Sequence, residues 1–127
     1  MKSERRRNER FRIKDGAYAA LRPGFRRLGK IEDMSLNGLS FIYINLSSPD
    51  FEHEMPTAID IFLSDGSLHL HEVPCRLAYD RRDPEYKETR SQSPEQRRCG
   101  VTFREEWADE YRADLQMFIQ SNSVKEP

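Results

Sequence analysis

Up to residue 103 the apolar positions of this chain fall on alternate residues, and after that they follow a helical spacing. The clearest stretch is Leu39-Ser40-Phe41-Ile42-Tyr43-Ile44, with Leu39, Phe41 and Tyr43 on one face and Ile42 and Ile44 on the other. That period of two predicts a β-strand over Leu39–Asn45. Weaker alternation at Phe11, Ile13, Ala17, Ala19 and Leu21 predicts a first strand, with Gly16 marking a bulge. After the turn signal Arg22-Pro23-Gly24, Arg27–Asp33 is expected as a second strand carrying Leu28 and Ile31. Ala58–Leu63 places Ile59, Ile61 and Leu63 on one side. Ser64-Asp65-Gly66-Ser67 then predicts a hairpin whose two central residues take positive φ. Leu68–Asp80 is a long strand, interrupted near Pro74 by a bulge or an edge. Arg98–Phe103 is the last, with Cys99, Val101 and Phe103 on one face. From Glu105 onward Trp107, Tyr111, Leu115 and Phe118 form the stripe of an amphipathic helix that packs on the core.

Residues 46–56 and 81–95 are the long loops, and 121–127 make a loose tail. Five or six short strands with turn signals between them point to an antiparallel sheet or barrel flanked by one helix. The length suits a single domain. No apolar run approaches the ~18 residues of a membrane-spanning helix. The start of the chain lacks the apolar segment of a secretion signal, so a cytoplasmic location is expected. Residues 1–10 show no periodicity and are expected to form a mobile arm.

Charge sharpens this picture. The net charge is only −1, but residues 1–30 hold eleven Lys/Arg against three acids. That front carries +8 and leaves −9 for the rest of the chain. A basic front on an acidic body suits an anionic ligand or surface, and equally suits pairing between the two halves. Within the front, Arg6-x-x-x-Arg10 stands just before the first strand. Arginine's planar fork matches phosphate and the O6/N7 edge of guanine through paired hydrogen bonds. An arm for RNA or anionic lipid also fits the charge. The strands, however, carry no dense interleaving of aromatic and basic residues, so neither DNA nor RNA is expected as partner.

The second polar feature is Asp33-Met34-Ser35-Leu36-Asn37-Gly38, expected as a tight turn between strands. Asp33 and Ser35 are two apart, so in an extended backbone they face one side and one ligand. Gly38 permits positive φ or a close backbone approach. The plainer alternative is a turn that satisfies its own backbone.

Catalytic chemistry finds little support. No Ser or Cys lies in a nucleophile motif, and no glycine-rich phosphate loop is present. A binding module is expected rather than an enzyme. His69 and His71 alternate on one strand and could share a metal, but no carboxylate or cysteine stands at ligand spacing beside them. A half-exposed pair on a strand is the simpler reading, and no metal site is expected. Cys75 and Cys99 form no Cys-x-x-Cys pair and are expected as buried thiols.

Taken together, Arg6-x-x-x-Arg10 before the first strand and Asp33-x-Ser35-x-x-Gly38 after the second resemble the PilZ domain family. The segment Arg97-Arg98-Cys99-Gly100-Val101-Thr102-Phe103 is similar to that family's last strand. The resemblance implies a mainly all-β fold: a six-stranded antiparallel barrel over residues 11–122, with the arm over 1–10, one C-terminal helix and a tail over 123–127. It also implies binding of cyclic di-GMP, with no cofactor. Arg6 and Arg10 would serve guanine and phosphate, Asp33 and Ser35 would make polar contacts to guanine, and Gly38 would allow close approach. Arg5 adds a cation that in this family accompanies a stacked pair of ligands. Glu9 places an acid near the expected phosphates. A downstream protein partner and a monomer or weak homodimer complete the expectation. The competing view is a PilZ-like adaptor that binds a partner without nucleotide.

Overall fold

A computed structural model describes residues 9–22, 24, 27–45, 55–67, 69–82 and 95–124. Arg5, Arg6, Pro23, Leu68 and most of the two expected long loops lie outside these residues, as do the side chains of Trp107 and Ala108.

The strands are β1 (Phe11–Arg12), β2 (Ala17–Arg22), β3 (Leu28–Ser35), β4 (Gly38–Asn45), β5 (Ala58–Leu63), β6 (His69–Arg82) and β7 (Glu95–Phe103). A 3-10 turn over Glu105–Trp107 leads into helix α1 (Ala108–Asn122). Antiparallel pairing runs β3-β2-β5-β6-β7-β4, and a further β3–β4 pairing closes the ring. Six strands therefore form a closed barrel, the expected architecture. Each of these six strands has a neighbour on both sides, so the barrel contains no edge strand, although β6 meets β5 through its first half and β7 through its second. β1 is an extra strand laid on β3, with Phe11 opposite Met34 and Arg12 opposite Asp33.

The alternation read from β4 holds. Leu39, Phe41 and Tyr43 are buried, while Ile44 is exposed. Ile59 and Ile61 of β5 and Cys99, Val101 and Phe103 of β7 point into the same core. Helix α1 adds Leu115, Phe118 and Ile119 to it, and Tyr111 packs at its margin. Full burial of an aromatic or large aliphatic side chain stabilises by about 1.5–3 kcal/mol, so this inward face holds the barrel together.

Several boundaries differ from the sequence expectation. The first strand is two strands: the chain turns at Asp15-Gly16, where Gly16 has φ 102° and acts as a turn rather than a bulge. β3 runs on to Ser35, so Asp33 and Ser35 lie in the strand and only Leu36-Asn37 forms the turn. The pattern misled here because a bulge between Ile31 and Asp33 shifts the alternation. In β6 the bulge falls at His71-Glu72, upstream of Pro74, with Glu72 at φ 50°. Pro74 itself pairs with Ala58 at the start of β5. In the 64–67 hairpin only Gly66 takes positive φ, because the Asp65 side chain accepts from Ser67 N–H at 2.8 Å and sets the turn instead. At the C-terminus, Ser123 bridges Ile13 and Val124 N–H donates to Arg12 C=O, so these two residues are tied to the region around β1.

Candidate functional site

The β3–β4 hairpin and the entry to β1 meet at one place on the barrel. Ser35 faces Gly38 across a two-residue turn. The Ser35 Oγ accepts from Asn37 N–H at 3.1 Å, and Asn37 C=O accepts from Phe103 N–H at 2.7 Å. The turn is thus fixed from inside by its own serine and from outside by the end of β7. Ser35 is buried, so its hydroxyl stabilises the hairpin first.

Gly38 has an ordinary φ, and its reason is proximity. A Cβ built there would stand 2.1 Å from the Val101 carbonyl oxygen of β7. Of the two roles glycine offered in the sequence, close backbone approach is the one used, and the neighbour is the barrel's own last strand.

Arg10 leads into β1, whose pairing with β3 carries it alongside Asp33. Its Nη1 donates to Asp33 Oδ1 at 2.5 Å. The pair is open to solvent, with Arg10 49% and Asp33 27% exposed in their side chains. An exposed pair of this kind contributes about 0–1 kcal/mol to folding, so it is available for exchange with a ligand. Glu9 and Phe11, the sequence neighbours of Arg10, and Leu36 line a separate groove of about 260 Å³ with Gln116, Ile119, Gln120 and Ser123 of the helix and its end. Phe11 is exposed there.

Of the expected site residues, Arg10, Asp33, Ser35 and Gly38 therefore gather on one hairpin and the strand beside it. Asp33 and Arg10 present polar atoms outward, whereas Ser35 and Gly38 are engaged within the fold. Arg5 and Arg6 lie outside the described residues.

Sequence reasoning missed a partly buried ionic network on the neighbouring strands. Asp80 of β6 binds Arg27 Nε at 2.9 Å and Arg97 Nε at 2.8 Å, and accepts from the Tyr43 hydroxyl at 2.7 Å. Arg97 also donates to the Asp80 carbonyl. Burial, then the anionic Asp80, push the Tyr43 phenol well above its ordinary range. The only sequence signal was polar residues at strand positions, and nothing in the linear order paired them.

The PilZ domain family model matches residues 4–121. The chain belongs to the PilZ domain family. The match spans the barrel, the entry to β1 and nearly all of α1, so this PilZ domain includes both polar motifs. A search among curated proteins found no match. Among solved structures, the chain is similar to the crystal structure of the Borreliella burgdorferi PlzA protein in complex with c-di-GMP. The identity is 14% and the TM-score 0.54, over 98% of this chain and 57% of that one. The PilZ domain thus spans little more than half of that protein, and the likeness is one of fold. No helix among the described residues is long and apolar enough to cross a membrane.

Proposed function

We propose that this PilZ domain is a receptor for cyclic di-GMP, acting by binding rather than by catalysis. One observation carries the reading: the Arg10 guanidinium and the Asp33 carboxylate, from the two separate polar motifs, meet at an exposed edge of the barrel. The ligand offers the two complements, anionic phosphates for arginine and the guanine N1–H and N2–H for a carboxylate. Arg10 would leave Asp33 for phosphate or guanine, and Asp33 would accept from guanine. Arg5 and Arg6 would supply further cations, with Arg5 favouring a stacked pair of ligands. Ser35 and Gly38 would hold the hairpin in the shape that lets guanine approach. That the PlzA structure contains c-di-GMP supports this choice of ligand.

The proposed mechanism is an ordering switch. Like charges in residues 5–10 repel one another, and the ligand's phosphates neutralise them and draw that segment across the barrel. A partner protein then recognises the new surface. A second reading, a nucleotide-independent adaptor, rests on the way Ser35 and Gly38 are already engaged by the fold.

The test is calorimetric titration with cyclic di-GMP, with GTP and linear di-GMP as controls, on wild type and Arg10→Ala. Saturable binding by wild type, clearly weakened in the variant, is expected, and its stoichiometry counts the ligands. A folded wild type that binds nothing would overturn the receptor and leave the adaptor. Hydrogen exchange over residues 4–11 tests the switch, because protection unchanged by ligand would remove it.

A further inference from the structure

On the outer wall of the barrel, away from the β3–β4 hairpin, three side chains from two strands converge. Asp60 sits in β5 between inward-facing Ile59 and Ile61. Opposite it, β6 bulges: Ile59 pairs with Val73 and Ile61 with Leu70, so both His71 and Glu72 face Asp60. Glu72 adopts φ 50° to make this possible, and its N–H donates to Asp60 Oδ1 at 2.9 Å. His69, two residues before His71, comes to the same carboxylate.

We propose that Asp60, His69 and His71 form a binding site for a zinc-class divalent cation. One donor atom from each lies within 4.8 Å of the others. His69 Nε2 is 3.3 Å and His71 Nδ1 is 3.6 Å from Asp60 Oδ2. Zinc holds nitrogen and oxygen ligands at ~2.0–2.2 Å in a tetrahedron, which separates ligand atoms by roughly 3.3–3.6 Å. The two distances to Asp60 are close to those edges without a metal. Imidazole with carboxylate is a donor set suited to zinc.

The surroundings also match a ligand set. His71 presents Nδ1 to Asp60, while its Nε2 lies 3.0 Å from Glu72 Oε1. A carboxylate on the far nitrogen of a ligating histidine fixes the tautomer and raises its basicity. The Phe62 ring meets His69 edge-on at 6.0 Å between centroids and limits its rotation. His69 and His71 are 50% and 59% exposed in their side chains, so the fourth position opens to water. Arg22 binds Asp60 through Nε to Oδ1 at 2.9 Å and Nη2 to Oδ2 at 3.1 Å. A metal would displace Arg22 Nη2, which also lies 3.4 Å from His71 Nδ1, leaving Nε on Oδ1, and the nearby guanidinium would weaken the cation's hold.

The experiment uses the untagged full chain without nucleotide. Zn²⁺ is titrated in competition with a chromophoric chelator, and Co²⁺ absorption reports the ligands. One equivalent is expected, bound at least about ten-fold more weakly by His69→Ala, His71→Ala and Glu72→Gln, with circular dichroism confirming their folds. Equal affinity in wild type and His69→Ala/His71→Ala would overturn the site. So would strong sulfur-to-cobalt charge-transfer bands, which would place the metal on cysteine.

Discussion

Replacing Gly38 with alanine separates what the hairpin does for the fold from what it does for a ligand. The added Cβ would lie 2.1 Å from Val101 O and 3.2 Å from Val101 C, where ordinary contact begins at 3.4 Å. Relief needs a shift of about 1.3 Å between two backbones. Gly38 pairs with Thr102 of β7 on one side and Ser35 of β3 on the other, so neither strand can move without stretching ladder hydrogen bonds. Overpacking of this kind costs ~1–3 kcal/mol, and each weakened hydrogen bond adds ~1 kcal/mol. A loss of about 3 kcal/mol follows, which in a domain of this size lowers Tm by roughly 10–15 °C. Gly66→Ala is the matched comparison. Gly66 has φ 79° with nothing within 4 Å of a built Cβ, so it carries only the backbone penalty. That is about 1–2 kcal/mol, and it predicts a clearly smaller drop. Thermal melts by circular dichroism on both variants decide the matter. Gly38→Ala melting within about 2 °C of wild type would refute the close-approach argument. If that stable variant had also lost cyclic di-GMP, the glycine would belong to the ligand.

Arg10→Ala should change stability by less than about 1 kcal/mol, because its ion pair is exposed, yet weaken cyclic di-GMP by roughly 5- to 150-fold; melts and calorimetry on one preparation check both. Tyr43→Phe removes the buried donor to Asp80 and should cost about 1–3 kcal/mol, read from urea midpoints, with no effect on ligand affinity. Burial pushes the Asp60 pKa up, but the Arg22 hydrogen bonds, the Glu72 N–H and His69 outweigh it and set it below the ordinary value. Its stabilisation is therefore complete above the unfolded pKa of about 3.9 and is lost as pH falls through the lower folded value; the acid dependence of Tm should flatten there in Asp60→Asn. Burial lifts the Cys75 and Cys99 thiols to about 12. Iodoacetamide at pH 8 should label neither until urea unfolds the chain, and stability should fall as pH rises from about 8.5 towards the folded values.

Much of the barrel was legible in the linear chain because a strand with one buried face must alternate. The Leu39-Phe41-Tyr43 and Cys99-Val101-Phe103 faces are buried as the spacing requires, and the Tyr111-Leu115-Phe118 stripe lies against the core. Glycine 38 was legible as a special position, and so was the kinship of the two polar motifs. Bulges were not legible. An extra residue in one strand is a property of the pair, so the shifts at Glu32 and at His71-Glu72 are set by the partner strands β4 and β5.

The sequence by itself determined the inward face of each strand, the stripe of the helix and the residue types at the hairpin, because each of these depends on local spacing. Tertiary structure alone decided which distant residues meet. Closing the barrel set Val101 against Gly38, brought Asp80 to Arg27, Tyr43 and Arg97, and placed Asp60 between Arg22 and two histidines. Most of those contacts join residues far apart in the chain, and only the register of paired strands fixes their distances.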